Sequence, residues 1–478
     1  MVTMIFSASV FAATMSNLPK QISETSKECI ACHKDSTVNI YQQWGNSKHY
    51  RANVGCYECH QAQKGDADAF EHNGNLISII VSPKDCAKCH EKEVDEFVNS
   101  HHAKAGRIMG SLDNVLADLA EGNRGFKTEG FPNGVSAAAV NGCWQCHGTQ
   151  VKVLKGGKLD PATWPNTGMG RGNPDGSEGS CSACHYRHEF SVAQVRQPEN
   201  CGKCHMGPDH PQIEIFNESK HGIVYAANKN SKMNLNSAKW VVGEDYDAAP
   251  TCATCHMSAT KDMPVTHNVG LRIKWNNRPP QVKLANETDL KWGLESGKVN
   301  GDMRRKNMVN VCEACHNINF INGFFTQYEG QLELYSEKWA KPGEALYKKA
   351  TEVLKATNGA TYAQFAQKID YTWFELWHHE GRRVRHGASM FAPDYTQWHG
   401  NYELARNWYG SYVPELKEVI ENGKKKGGEA AKLAGELEKL LDEVINDSNH
   451  KWSIGKEDPA AHAERMKFKK EYEDRYKK

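Results

Sequence analysis

Cys143-Trp144-Gln145-Cys146-His147 sets two thiols three positions apart and follows the second directly with an imidazole. The same Cys-x-x-Cys-His spacing recurs at Cys29/Cys32/His33, Cys56/Cys59/His60, Cys86/Cys89/His90, Cys181/Cys184/His185, Cys201/Cys204/His205, Cys252/Cys255/His256 and Cys312/Cys315/His316. Together these motifs use all 16 cysteines, so none is left for a disulfide or a cysteine nucleophile. Two thiols at this spacing lie on one side of a helical turn, within reach of the vinyl groups of a haem. The adjacent histidine then sits under the iron as proximal ligand. Zinc or a redox dithiol competes for a single motif of this kind. Eight of them, each completed by histidine, point to eight covalently attached c-type haems.

Composition agrees. The 478 residues are enough for two or more domains, yet only 39% are hydrophobic and the mean hydropathy is −0.69. Haem macrocycles supply apolar bulk that side chains would otherwise provide, so a lean composition need not mean disorder. A net charge of +1 offers no basic field for nucleic acid. Residues 1–16 (MVTMIFSASVFAATMS) form a short apolar run ending near Phe-Ala-Ala, which reads as the remnant of a secretory signal peptide without its basic n-region. The alternative is a buried strand. Export suits haem attachment outside the cytoplasm, and no later segment reaches the ~20 apolar residues of a membrane span. The expectation is a soluble protein of the periplasm or an equivalent compartment.

A second repeat supplies candidate ligands for the other face of each iron. Trp44-Gly45-Asn46-Ser47-Lys48-His49, Phe97-Val98-Asn99-Ser100-His101-His102 and Phe216-Asn217-Glu218-Ser219-Lys220-His221 share aromatic-x-x-Ser-x-His. They nominate His49, His102 and His221 as distal ligands, the alternative being surface histidines on amphipathic helices. His188 and His267 are next. His378, His379, His386 and His399 form a C-terminal pool, from which His379 and His399 complete the set. His72, His450 and His462 stand among polar residues and read as solvated.

Motif density gives the organisation. After the signal remnant, residues 17–141 hold three haems and a Gly-rich connector, and 142–330 hold five. Within that block, 152–179 reads as a long surface loop from its Gly, Pro and Asn content. Residues 331–425 are a helical region, with helices expected over 343–356 and 360–390, and 426–478 form a charged helical tail. The fold class is mostly α with little β: haem-packed N-terminal and central regions, then a long-helix C-terminal bundle. The aromatic stripe Tyr371, Trp373, Phe374 and Trp377 is open to core packing or to a cofactor environment, because His378, His379, Arg382 and Arg383 are interleaved with it.

A row of bis-histidine haems only conducts; chemistry on a small molecule needs an open iron and groups that move protons. Met206-Gly207-Pro208-Asp209-His210-Pro211 comes after the sixth motif and sets a carboxylate beside an imidazole. The pair reads as a proton-handling device, the alternative being that His210 is one more axial ligand.

These features resemble the octahaem hydroxylamine oxidoreductases. The likeness rests on eight motifs in one chain, Cys143-Trp144-Gln145-Cys146-His147-Gly148, Cys181-Ser182-Ala183-Cys184-His185 with His188, Gly207-Pro208-Asp209-His210, and Trp377-His378-His379-Glu380-Gly381-Arg382-Arg383 with Pro393-Asp394-Tyr395 and Trp398-His399-Gly400. The five-haem block is also similar to pentahaem ammonia-forming nitrite reductases, whose catalytic haem has a lysine ligand where this chain has His147. The resemblance implies that the fourth haem is reactive, with His147 proximal, an open distal side, and Asp209 and His210 serving it. The other seven would pass electrons to a soluble or membrane-attached partner cytochrome. It further implies a homotrimer and, in oxidative members, a tyrosine cross-linked to the catalytic haem. Tyr395 is the candidate, with Tyr402 and Tyr409 behind it, while Phe324-Phe325 stands where a distal-pocket tyrosine of the family is expected. The expected activity is oxidation of hydroxylamine to nitric oxide or nitrite. Hydrazine oxidation, the reverse reduction of nitrite or hydroxylamine, and a pure electron-transfer cytochrome are the alternatives.

Overall fold

The thiol pairs need short helical turns, and most of them have these. In the computed structural model, which describes residues 21–110, 125–274 and 299–477, the first motif lies in helix Glu24–Ser36, the third in Pro83–Val98 and the eighth at the end of Gly301–Cys312. The second, fourth and seventh occupy the brief helices Cys56–His60, Trp144–His147 and Cys252–His256. Among the described residues the only sheet is the hairpin Phe70–His72 with Asn75–Ile77. The fold is therefore mostly α, as the sequence predicts. The signal-like residues 1–16 lie outside the described residues, as does part of the connector.

Chain contacts divide the protein into two units, residues 1–195 and 196–478, so the division falls inside the segment read as a five-haem core. In the first unit the buried apolar cluster is small: Ile22, Ile30 and Trp44. Polar contacts tie its motifs together instead. The buried Ser26 hydroxyl donates to Glu58 Oε2 (2.8 Å) and accepts from Tyr57 N, linking the first motif's helix to the second. Residues 152–179, expected as a surface loop, are exposed at their turns but pack about a third of their residues inside the unit. Asp160, Asn166, Arg171 and Asn173 are buried there, and Asp160 accepts from Thr128 Oγ1 and Gly130 N. Arg171 donates to Asn173 Oδ1 and Val81 O. Composition indicated turns correctly, but each of these polar side chains has a partner, which offsets the cost of burying it.

The second unit has a conventional core. Helices Lys341–Asn358, Val413–Lys426 and Gly428–Asn446 pack through Leu346, Ala350, Val353, Leu416, Ala434 and Leu437, all fully buried. The helix expected over 360–390 is instead Lys368–Glu375, a π-helical turn Leu376–Glu380, and Gly381–Ser389. The expected tail from residue 426 begins later: Gly428–Asn446 is a core helix of the bundle, and Lys424 at the end of the preceding helix pairs with Glu438 at 2.6 Å across the Gly427 turn. The final helix Pro459–Arg475 buries no residue, consistent with a solvated tail.

Candidate functional site

The thiols expected to attach haem are not equally enclosed. Cys32, Cys89 and Cys315 are exposed, whereas the remaining motif cysteines are half-buried. For Cys32 and Cys89 the local backbone gives the reason. Cys32 stands on the outer side of helix Glu24–Ser36, its Sγ 4.0 Å from Ser36 Oγ one turn on. Cys89 lies where helix Pro83–Val98 kinks, next to His90 at φ −119° and ψ 44°. A thioether is covered by the macrocycle it joins, so these positions need only helical spacing and not a polypeptide wall.

The aromatic-x-x-Ser-x-His repeat is a small structural device. Its aromatic residue (Trp44, Phe97 or Phe216) is buried, and the serine hydroxyl donates to that residue's carbonyl at 2.6, 2.6 and 2.7 Å. Ser47 and Ser219 also cap the next helices, accepting from Tyr50 N and Gly222 N, so that His49 and His221 ride on the first turn of a fixed helix.

Four motif histidines face a histidine from elsewhere in the same unit. Ring centres are 6.2 Å apart for His90 and His49, 6.4 Å for His60 and His188, 6.1 Å for His33 and His72, and 6.2 Å for His316 and His221. Two of the motif rings are oriented through their other nitrogen. His60 Nδ1 meets Ser78 O at 2.8 Å, and His33 Nδ1 meets Thr37 Oγ1 at 2.9 Å. Burial and the neighbouring His60 push His188 down to about 4, leaving a neutral imidazole at pH 7. The fourth motif is held by the packed loop: Met169 N donates to Cys146 O and Gly170 N to His147 O. Gly148 comes next at φ +86°, and a Cβ on Gly168 would collide with Gly148 backbone, so the loop lies flat against the motif.

A fifth ring pair differs. His205 and His210 are 6.1 Å apart at 80°, but His210 Nε2 meets Cys204 O at 2.9 Å and its Nδ1 lies 2.6 Å from Asp209 Oδ1. Both ring nitrogens face oxygens. Asp209 Oδ2 also accepts from Arg382 Nη1 at 3.3 Å and lies 4.0 Å from His378 Nε2. Burial alone would raise the Asp209 carboxyl, but His210, His378 and Arg382 hold it well below the usual carboxylate range. Burial likewise opposes a charged His210, yet the Asp209 carboxylate and the Cys204 carbonyl outweigh it and raise this imidazole above 6.5. The result is an ionised carboxylate against an imidazole whose protonated form it favours.

Comparison with known proteins fits this arrangement of motifs. Residues 175–358 match the family model "Seven times multi-haem cytochrome CxxCH", and residues 6–61 and 85–186 match "Cytochrome c554 and c-prime". A probable nitrite reductase-hydroxylamine oxidoreductase fusion protein of Kuenenia stuttgartiensis is 25% identical over 80% of this chain. This chain spans about half the length of that curated relative, 50%. A solved "hypothetical multiheme protein" superposes with TM-score 0.69 at 27% identity, covering 85% of this chain and 98% of its own. The chain is a multihaem cytochrome c related to the hydroxylamine oxidoreductase-like proteins. The fold also matches the reducing HAO-like protein complex of Kuenenia stuttgartiensis, with TM-score 0.53 at 19% identity over 87% of each chain.

The cytochrome binds c-type haem covalently through these motifs, and its residues fit the group. Iron between two imidazoles sits about 2 Å from each nitrogen, itself about 1.2 Å from its ring centre, so ring centres fall roughly 6.3 Å apart. The four facing pairs have that spacing, and the Nδ1 contacts of His33 and His60 are the outer hydrogen bonds that orient metal-ligating histidines. His72, read from the sequence as solvated, is exposed as expected, but its ring also faces His33. The available signal was Asn73-Gly74, whose positive φ values (49° and 76°) close a tight hairpin that fixes His72 opposite His33.

The other nominated residues are dispersed. His102 and His267 are half-buried. His379 is half-buried with its ring 5.4 Å from His378. His399 is exposed on a π-helical turn, its Nε2 3.5 Å from Asp394 and its Nδ1 3.5 Å from Glu403. Tyr395 donates its backbone N–H to Glu218 Oε1, and burial together with the Glu214 and Glu218 carboxylates raises its phenol. His378 was expected only in the ligand pool and Arg382 only in a cofactor environment; their contact with Asp209 was not foreseen, since nothing in their spacing pairs them with residue 209. No helix among the described residues is long and apolar enough to cross a membrane.

Proposed function

We propose that this cytochrome is an oxidoreductase acting on small inorganic nitrogen compounds, with hydroxylamine oxidised to nitric oxide or nitrite as the leading reaction. It would carry eight haems, one per motif. The observation that carries an enzymatic reading over a pure electron conduit is the environment of His210. An axial ligand needs a free nitrogen, and here one faces the Cys204 carbonyl and the other the Asp209 carboxylate. The imidazole is thus available for proton transfer, with Asp209 holding its charge and tautomer.

By the family resemblance, the haem attached at Cys143 and Cys146 with His147 beneath it is the reactive one; when bound, it supplies an iron that takes the nitrogen compound and accepts its electrons. Oxidation releases protons as well as electrons. Asp209 stays ionised and orients His210, which would relay protons toward solvent by giving up one ring proton as it takes up another; in the reductive direction the same pair would deliver protons. We assign His72, His49, His188 and His221 as axial partners of His33, His90, His60 and His316. The haems of His185, His205 and His256 then still need a second ligand, for which His102, His267, His379 and His399 are four nominees for three places, and Tyr395 is the nominee for a tyrosine–haem link. An extracytoplasmic homotrimer that passes electrons to a cytochrome completes the reading.

Steady-state assay of one preparation with hydroxylamine, hydrazine and nitrite tests it. Turnover of any of the three, together with a high-spin five-coordinate signal in the resting spectrum, supports the proposal. Eight low-spin haems and no turnover would make the protein a conduit.

A further inference from the structure

Two adjacent arginines reach two adjacent residues of the acid–base turn. Arg382 Nη1 meets Asp209 Oδ2 at 3.3 Å, and Arg383 Nε donates to Pro208 O at 2.7 Å. Arg383 is itself fixed from the other side, since its Nη1 donates to Glu403 Oε2 at 2.6 Å. Its side chain is 15% accessible and that of Glu403 20%. Proline removes an N–H at 208 and again at 211, so the turn has few internal bonds of its own. They include Gly207 N to Glu214 Oε1, Gln212 N to His210 O, Ile213 N to His205 O, and the contact of His210 Nε2 with Cys204 O. The guanidinium supplies what the turn lacks, a charged donor aimed at a carbonyl one residue before Asp209.

We propose that Arg383, locked by Glu403, is a positioning residue that sets the Pro208 carbonyl and hence the direction in which Asp209 and His210 point. Its fork is required because Nε and Nη1 serve two acceptors at once, which a lysine ammonium on a flexible stem cannot do in one fixed geometry. The π-helical turn Leu376–Glu380 immediately precedes the arginines, and such turns recur at functional sites because they shift the register of the residues after them. The inference deepens the proposed function by naming the residue that holds its acid–base pair, and it has a test that does not depend on any substrate.

In the full-length haem-loaded protein, Arg383→Gln, Arg383→Lys and Glu403→Gln are compared by amide hydrogen exchange with mass-spectrometric readout. Arg383→Gln is expected to speed exchange in the peptide spanning 205–214 about tenfold, which is what a charge-assisted hydrogen bond is worth. Arg383→Lys should behave nearly as badly, and Glu403→Gln should give a smaller change in the same peptide. Exchange in the helices Lys341–Asn358 and Gly428–Asn446 should not move. Unchanged exchange at 205–214, or an equal rise across the bundle helices, overturns the proposal. If Arg383→Gln does not fold, Glu403→Gln decides alone, because it keeps Arg383. Kinetics then add a second arm: kcat falls with KM unchanged in the arginine variants. Should the wild-type protein turn over none of the three nitrogen compounds, the functional reading fails while the exchange result still stands or falls by itself.

Discussion

Asp209→Asn removes one negative charge without changing shape, from a carboxylate faced by His210 at 2.6 Å, Arg382 at 3.3 Å and His378 at 4.0 Å. At an effective dielectric near 20, unit charges about 3 Å apart attract by roughly 5 kcal/mol. Desolvation and solvent screening of these partly accessible side chains (21% for Asp209, 31% for His210) leave a net loss of about 1–3 kcal/mol. The effect on His210 is sharper. With the carboxylate gone, burial and the Arg382 charge are opposed only by the Cys204 carbonyl, so the imidazole's pKa moves down. The pH dependence of kcat should therefore shift toward acid, and kcat at pH 7 should fall by about 10²–10⁴, the contribution of a positioned acid–base group. The assays are kcat against pH with hydroxylamine, urea unfolding at pH 7, and haem content as control. A variant with the wild-type pH profile and stability within about 0.5 kcal/mol would refute the electrostatic account of this site.

His210→Ala should keep every haem and every low-spin signal while abolishing turnover; loss of a low-spin signal would instead make His210 a ligand. His72→Ala should convert one low-spin haem to high-spin with covalent attachment intact, seen in the visible and EPR spectra; an unchanged spectrum would reject its pairing with His33. Stability should depend on pH through the same Asp209–His210 pair. The raised His210 contributes fully below pH 6.5 and loses its contribution as pH rises through its folded value. The depressed Asp209 contributes above pH 3.8 and loses it as pH falls, so unfolding at a series of pH values should show this contribution greatest between about 4 and 6.5 and absent in Asp209→Asn. In the bundle, Leu416→Ala leaves a void at a fully buried position and should cost about 2–5 kcal/mol by denaturant unfolding, without altering the haem spectrum.

Local chemistry was fully legible in the chain. Cys-x-x-Cys-His binds haem through residues within one helical turn, and the bundle helix Lys341–Asn358 was legible because its apolar spacing is local too, whereas Gly428–Asn446 was hidden in the charged stretch read as a tail. Aromatic-x-x-Ser-x-His was legible for the same reason, since the serine bonds to the carbonyl three residues back. The sequence by itself therefore determined a mostly helical multihaem cytochrome with an Asp-His pair after its sixth motif. Tertiary structure alone decided which histidine faces which motif, since His33 and His72, or His60 and His188, are brought together by packing that no spacing encodes. It also decided that part of the loop at 152–179 is packed inside its unit, because each buried polar group there found a partner. The Arg382 and Arg383 contacts belong to the same class: charges some 170 residues downstream carry no mark of the turn they hold until the chain has folded around it.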